Sequence, residues 1–154
     1  MSVSPEARLA ELGISLPDVA APVAAYVPAV RSGNYVYTAG QLPFVDGALP
    51  LTGKVGGAGV SPEEATDLAR TCALNGLAAV RSLVGTLDGA RIVKVTGFVA
   101  SDPSFTGQPG VINGASNVLG EIFGDAGVHA RSAVGVAVLP LDAPVEVELV
   151  VELS

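Results

Sequence analysis

The C-terminal stretch, residues 129–153, reads HARSAVGVAVLPLDAPVEVELVVEL and contains two valine-rich segments separated by LPLDAP. β-Branched residues at alternate positions predict two strands, and the proline-containing spacer predicts a turn between them. In the first segment, positions 132, 134, 136 and 138 are mostly valine, whereas the odd positions carry Arg131 and small residues. We therefore expect the even positions to face the core and the small-residue face to form a tight subunit interface.

In the second segment, valine and leucine alternate with Glu146, Glu148 and Glu152. If the two segments pair as a hairpin, Arg131 shares a sheet face with these glutamates and lies opposite Glu152. Arg131 and Glu146 would then be roughly 20 Å apart within one chain, so a site that used both would need two subunits. A cross-strand salt bridge between Arg131 and Glu152 explains the same pattern without any ligand site.

The remainder of the chain predicts an α+β fold. The capping box Ser61-Pro62-Glu63-Glu64 opens the strongest helix, which has an apolar stripe and ends near Gly85. In chain order we predict a short helix over 4–13, strands over 26–30 and 34–39, the long helix over 61–85, a strand over 92–100 and a helix over 115–123. This order predicts a sheet with both core helices on one face, and the other face then needs a cover.

Length and composition predict one domain that associates with copies of itself. A chain of 154 residues is a common size for one domain, so we assign residues 1–154 to it, with 1–21 as a peripheral N-terminal helical extension. The chain is 49% hydrophobic but only 15% charged, where about a quarter charged is typical of soluble domains. No apolar run is long enough to span a membrane, so self-association is the expected way to cover this surface.

Charge and cysteine content argue against several classes of partner. Eight Lys and Arg residues stand against fifteen Asp and Glu, giving a net charge of −7, and the basic residues are scattered singly. Nucleic acid is therefore not expected as the main partner. One cysteine and one histidine cannot form a structural zinc site of the usual kind, so no metal is expected. The N-terminus lacks a signal-peptide layout, which predicts a cytoplasmic location.

Three features have a structural and a functional interpretation. Residues 53–59, GKVGGAG, match no phosphate-binding motif, so a flexible connection is favoured over a phosphate site. Cys72 lies on the apolar stripe of the long helix, which favours a buried structural thiol over a reactive one. His129 precedes Arg131 by two residues, and a surface histidine at a strand edge is favoured over a catalytic base.

Four segments carry a resemblance to a known family. They are AYVPAVRSGNYVYTAGQLP at 25–43, VKVTGFV at 93–99, HARSAVGVAVLP at 129–140 and VEVE at 145–148. In this order the chain resembles the reactive-intermediate deaminase family, RidA/YjgF, over roughly residues 22–152. The resemblance implies a chorismate-mutase-like fold and a homotrimer with clefts between its subunits. It also implies hydrolysis of small enamines and imines, such as 2-aminoacrylate, to a 2-keto acid and ammonia without a cofactor.

The resemblance also implies roles for five residues. Arg131 would hold the substrate carboxylate, and Glu146 would handle the water. Tyr26 and Gly40 would line the cleft, and Asn113 is the least securely aligned member of the set. Guanidinium can bind a carboxylate through two parallel hydrogen bonds, and a glutamate can orient or deprotonate a water, so these residue types suit imine hydrolysis.

The sequence leaves alternatives to deaminase activity. Ala39 replaces a serine that many members carry, and Ala133 replaces a cysteine that is frequent in the bacterial deaminases. A non-catalytic trimer that binds a small carboxylate in the same cleft, or regulates through it, is the main alternative. An endoribonuclease, the name given to some relatives, is disfavoured by the charge distribution.

Overall fold

A mixed five-stranded sheet carries the two core helices on one of its faces in a computed structural model that describes residues 3–19, 21 and 24–154. In chain order the elements are α1 (Pro5–Leu12), β1 (Ala29–Ser32), β2 (Tyr35–Thr38), α2 (Pro62–Val84), β3 (Arg91–Ala100), α3 (Gln108–Phe123), a 3-10 turn (Gly124–Gly127), β4 (Ala130–Val136), a second 3-10 turn (Pro140–Asp142) and β5 (Val145–Glu152). The strand order is β1-β2-β5-β3-β4. The predicted α+β class is confirmed.

The long helix α2 forms as its sequence predicts. The Ser61 hydroxyl accepts a hydrogen bond from the Glu64 N–H, and the Glu64 carboxylate accepts one from the Ser61 N–H, which completes the capping box. Gly85 ends the helix in the left-handed conformation that glycine adopts without strain. The apolar stripe packs on β5 and α3, and Cys72 is fully buried in it, as expected of a structural thiol.

The predicted hairpin between β4 and β5 is wrong, because β3 lies between these strands. Val95 of β3 is opposite Arg131 in a parallel ladder and opposite Leu149 in an antiparallel one. The chain passes from β4 to β5 through the second 3-10 turn, in which Leu141 and Asp142 have positive φ. Between β4 and β5, the ten-residue β3 forms backbone hydrogen bonds along both of its edges. If β4 and β5 paired with each other instead, one edge of β3 would lose these partners.

The predicted faces of β4 are also reversed. Arg131 and Ala133 lie on the helix side, and a Cβ at Gly135 would meet the Gln108 side chain of α3. Val134 lies on the opposite, open face of the sheet and is 44% exposed. The small residues therefore allow α3 to approach the sheet within one chain, and the subunit interface predicted for this face stays a prediction.

Several element boundaries differ from the prediction. α3 begins at Gln108, seven residues before the predicted start at 115, and so includes Pro109 and Gly110 in its first turn. Proline fits there because the first helical N–H groups have no partner within the helix. β1 is shifted to Ala29–Ser32, and Gly33, with positive φ, makes the turn to β2 tighter than predicted.

The N-terminal helix α1 packs on the rest of the chain. Ser4 caps its N-terminus, Gly13 ends it, and Leu9 is buried against the core. Glu6 accepts hydrogen bonds from the Arg81 side chain at 3.0 Å and from the Leu87 N–H at 3.0 Å. The predicted extension over 1–21 includes positions 1, 2 and 20, which lie outside the described residues. None of the helices in the described part of the chain is long and apolar enough to span a membrane.

Candidate functional site

Arg131 lies near the start of the edge strand β4 and is bound to helix α3 by three hydrogen bonds. Its Nη1 donates to Asn113 Oδ1 at 2.8 Å and to Ser116 Oγ at 3.2 Å, and its Nη2 donates to the Pro109 carbonyl at 3.3 Å. All three acceptors are neutral. No carboxylate lies within salt-bridge distance of Arg131 in the described part of the chain, so its positive charge is not neutralised there.

These contacts leave a defined pair of donors on Arg131. A guanidinium has five N–H groups, and the three hydrogen bonds use two on Nη1 and one on Nη2. The remaining two are the Nε–H and one N–H of Nη2, for which residues 3–19, 21 and 24–154 supply no partner. Because these nitrogens are adjacent, they can donate to both oxygens of one carboxylate.

A second layer of polar contacts lies behind Arg131. Ser116 Oγ is 2.9 Å from His129 Nε2, and His129 Nδ1 is 2.6 Å from the Gly127 carbonyl. His129 is half-buried with both ring nitrogens hydrogen-bonded, which differs from the predicted surface histidine. The sequence analysis did not identify Ser116. It lies three positions after Asn113 and therefore on the same side of the helix, but a polar residue at this spacing is a weak signal by itself.

Glu146 lies on the other face of the sheet, beside Gly40. The Glu146 carboxylate occupies the space that a Cβ at Gly40 would fill, so a glycine is needed for this approach. Burial raises the pKa of Glu146, and the nearby negative charge of Glu148 raises it further. A glutamate with a raised pKa exchanges its proton closer to neutral pH than an exposed one.

Tyr26 lies at the same end of the sheet as Gly40. It is 44% exposed in the segment that enters β1. The Pro28 carbonyl, two residues later, accepts a hydrogen bond from the Ala39 N–H at 2.8 Å, which ties this segment to the chain just before Gly40. The five predicted residues thus fall into two groups, with Arg131 and Asn113 in one and Tyr26, Gly40 and Glu146 in the other.

Arg131 and Glu146, one from each group, lie on opposite faces of the sheet. Arg131 is level with Leu149 of β5, so Glu146 is two strands away and three residues along the strand. This corresponds to about 10 Å in each direction, with the two side chains pointing to different faces. The alternative salt bridge between Arg131 and Glu152 is wrong for the same reason, because Glu152 lies on the open face between Tyr35 and Arg91.

Cys72 and the segment 53–59 do not form part of either group of predicted site residues. Burial raises the pKa of the Cys72 thiol well above its usual range, which keeps it protonated and unreactive. The segment 53–59 is pinned at Val55, whose N–H donates to the Ala100 carbonyl at 2.7 Å. No cluster of three or more His, Cys, Asp or Glu side chains suitable for a metal ion occurs among the described residues.

Comparisons with known proteins agree with the resemblance seen in the sequence. Residues 6–153 match the family described as "YjgF/chorismate_mutase-like, putative endoribonuclease". The chain is 46% identical over 150 residues to Protein TCP17 of Trypanosoma cruzi, and the match covers 96% of this chain and 93% of that protein.

Solved structures share the fold over nearly the whole chain. Protein Atu1372 of Agrobacterium tumefaciens, described as of unknown function, is 45% identical with a TM-score of 0.88, and the match covers 97% of this chain and 92% of that one. Escherichia coli TdcF, solved with bound serine, is 25% identical with a TM-score of 0.64, covering 88% of this chain and 94% of that one.

Proposed function

Because this chain belongs to the YjgF/chorismate-mutase-like family, we propose that it hydrolyses small 2-enamino or 2-imino acids to a 2-keto acid and ammonia. The site lies in a cleft between subunits of a homotrimer. Arg131 of one subunit holds the substrate carboxylate, and Glu146 of a neighbouring subunit positions the water. No cofactor takes part in this reaction.

The observation that carries this proposal is the environment of Arg131. Three neutral acceptors hold its guanidinium, and two donors on adjacent nitrogens remain for a ligand. Arg131 is thus held in place by its own chain without a carboxylate partner among the described residues. A planar, permanently charged group in this state favours a small carboxylate as its ligand. The bound serine in TdcF, an amino acid with a carboxylate, supports the same class of ligand.

Glu146 supplies the acid–base chemistry of the proposed reaction. An enamine first takes a proton from solvent on carbon to give the iminium ion. Glu146 then accepts a proton from water while the water oxygen bonds to the iminium carbon, which gives a carbinolamine. Glu146 returns this proton to the carbinolamine nitrogen, the C–N bond breaks to release ammonia, and the hydroxyl proton leaves to solvent as the carbonyl forms. The raised pKa of Glu146 suits a group that must accept and return a proton.

Two subunits are needed to complete this site. Arg131 and Glu146 of one chain lie on opposite faces of the sheet, so one substrate cannot reach both. If the open face of one subunit packs beside the β4 edge of another, Glu146 approaches the Arg131 of its neighbour. Holding the water in a fixed position next to the imine carbon then supplies most of the rate enhancement, because imines already hydrolyse in water.

A non-catalytic carboxylate-binding protein is the second candidate. The serine bound to TdcF favours it, because bound serine demonstrates binding and not turnover in that relative. Both candidates use Arg131 as the anchor. They differ in whether a 2-imino acid disappears faster when the protein is present.

RNA cleavage is the third candidate, and it rests on the family description. A net charge of −7 without a basic cluster weakens it, because binding of a phosphate backbone needs several cations. Nuclease activity that copurifies with the protein and falls in Arg131→Ala or Glu146→Gln would favour this candidate. Activity that neither change affects would indicate a contaminant.

The test is coupled deaminase turnover. An amino-acid-consuming enzyme generates 2-aminoacrylate in the assay, and its disappearance is followed with wild type, Arg131→Ala and Glu146→Gln. We expect wild type to accelerate hydrolysis and each variant to lose at least about 100-fold in kcat/KM, since each removes a charged contact to the substrate or the general base.

Matched controls separate these losses from general effects of charge. Arg70→Ala removes one positive charge at an exposed position of α2 and is the control for Arg131→Ala. Glu121→Gln removes one negative charge at an exposed position of α3 and is the control for Glu146→Gln. Both controls should keep wild-type turnover. No acceleration by wild type across several 2-imino acids would reject the deaminase, and carboxylate binding that Arg131→Ala abolishes would then support the binding protein.

A further inference from the structure

A continuous chain of hydrogen bonds leads from the proposed carboxylate anchor to the backbone. Arg131 Nη1 contacts Ser116 Oγ at 3.2 Å, Ser116 Oγ contacts His129 Nε2 at 2.9 Å, and His129 Nδ1 contacts the Gly127 carbonyl at 2.6 Å. These hydrogen bonds thus connect β4, α3 and the turn between them. Ser116 and His129 have no part in the proposed hydrolysis itself.

The chemistry of the groups fixes the direction of the two outer hydrogen bonds, and the direction of the bond between Ser116 and His129 follows from them for a neutral imidazole. The Gly127 carbonyl can only accept, so His129 Nδ1 must carry the proton. In the neutral imidazole, Nε2 is then an acceptor, and the Ser116 hydroxyl donates to it. With its proton committed to His129, the Ser116 oxygen presents its lone pairs to Arg131 Nη1.

The direction of these bonds decides which Arg131 donors remain. Nη1 is fully used because Asn113 takes one of its N–H groups and Ser116 takes the other. If the Ser116 hydroxyl turned its proton toward Arg131, Nη1 would lose one acceptor and the guanidinium could rotate. His129 prevents this by accepting a hydrogen bond from the hydroxyl group.

We propose that Ser116 and His129 are positioning residues that fix the rotation of the Arg131 guanidinium, so that the Nε–H and one Nη2 N–H face the substrate carboxylate. This role rests on the proposed function of Arg131 as a carboxylate anchor. Ser116 acts on Arg131 directly, and His129 acts through Ser116. The alternative is that the two side chains only join α3 to β4.

Binding of pyruvate, a small 2-keto acid, tests this role in the full-length protein. Ser116→Ala removes the acceptor, whereas Ser116→Thr keeps the hydroxyl. Ser82→Ala is the matched control, since Ser82 is an exposed serine on α2. Without this acceptor the Arg131 side chain must be ordered again on binding, which predicts a Kd for pyruvate that is roughly tenfold higher in Ser116→Ala and close to wild type in the other two variants.

Enzyme kinetics provide a readout that a structural role would not change. Arg131 binds the carboxylate in the ground state and the transition state alike, so weaker positioning should raise KM about tenfold and leave kcat within about twofold. His129→Gln removes the imidazole ring that accepts the hydrogen bond from Ser116, and it should also raise KM. This second variant keeps the test available if Ser116→Ala does not fold.

Nuclear magnetic resonance observes the chain of hydrogen bonds directly. His129 is the one histidine of the protein, so its imidazole nitrogen signals need no further assignment. We expect the Nδ1–H tautomer in wild type, a shift of the Nε2 signal on pyruvate binding, and loss of that shift in Ser116→Ala.

The outcomes separate this proposal from the proposed function. Pyruvate binding and turnover that Ser116→Ala and His129→Gln leave unchanged would overturn the positioning role alone, and the anchor would stand. A wild-type protein that neither binds pyruvate nor deaminates would overturn both. A tenfold loss of affinity in Ser116→Ala that Ser116→Thr restores would support both.

Discussion

Glu146 shows how one residue takes its properties from its position. Its strand partner is Phe98 of β3, and its carboxylate lies against the backbone of Gly40. Burial and the charge of Glu148 both disfavour the ionised form, so its pKa is raised above that of an exposed glutamate. The acid–base behaviour of the proposed site therefore depends on the neighbours of Glu146 in the sheet as well as on the glutamate itself.

The pH dependence of turnover follows from this raised pKa. If ionised Glu146 is the base, kcat/KM rises with pH as Glu146 loses its proton, with a midpoint above the usual glutamate value of 4.5. Glu148→Gln removes the charge that opposes ionisation, so the midpoint should move to lower pH. The measurement is kcat/KM against pH for both proteins, and a midpoint that stays or rises in Glu148→Gln would contradict this explanation.

Gly40 is predicted to matter for activity more than for stability. In Gly40→Ala the new Cβ takes the place of the Glu146 carboxylate, which must move. The far end of a glutamate moves at low cost, so we expect stability within about 1 kcal/mol of wild type but at least about a tenfold loss of kcat/KM. Urea unfolding and the coupled assay measure the two effects, and full activity in Gly40→Ala would show that Glu146 need not lie there.

At the scale of elements, α3 determines where Arg131 points. Pro109, Asn113 and Ser116 each contribute one acceptor to the guanidinium. The helix can lie close to the sheet because Gly97 leaves room for the Ile112 side chain. Its packing on α2 is equally tight, since a Cβ at Gly114 would meet the backbone carbonyl of Thr66.

Two glycines of α3 should respond to alanine in opposite ways. Gly114→Ala forces α2 and α3 apart, because a backbone carbonyl cannot turn aside as a side chain can, so we expect a loss of about 1–3 kcal/mol. A Cβ at Gly120 would meet no atom within 4 Å, and Gly120→Ala should gain up to about 1 kcal/mol from helix propensity. Thermal or urea unfolding distinguishes them, and equal stabilities would contradict the packing of α2 on α3.

At the scale of the whole molecule, the open face of the sheet needs a cover. Val30, Tyr35 and Tyr37 on this face are 53%, 40% and 48% exposed in the single chain. Exposed apolar side chains in one patch are typical of a surface that binds another protein. The same face carries Glu146, so the proposed homotrimer would cover the patch and complete the site together.

Subunit complementation tests whether the site combines two chains. Arg131→Ala and Glu146→Gln should each be inactive alone, but mixed oligomers contain interfaces at which both original residues meet. Random mixing in equal amounts places both at about a quarter of the interfaces, so co-expression should restore up to about a quarter of wild-type turnover. If mixed oligomers are shown to form but have no activity, the whole site lies within one chain.

The sequence by itself determined the local elements and the family. The capping box and apolar stripe of α2 predicted its bounds, because these interactions involve residues a few positions apart. The alternation in β5 correctly separated its buried valines from its glutamates. Asn113 was named from the resemblance, and the structure places it against Arg131.

Only the tertiary structure decided which strand pairs with β4 and which of its faces meets α3. Alternation divides a strand into two faces, but it does not say which face the helices cover when one carries valines and the other small residues. Backbone hydrogen bonds alone do not determine whether β4 pairs with β3 or with β5. The pairing of β4 with β3 is therefore seen only in the complete sheet. Ser116 and His129 meet Arg131 through the packing of α3 on β4, a long-range contact that no local spacing encodes.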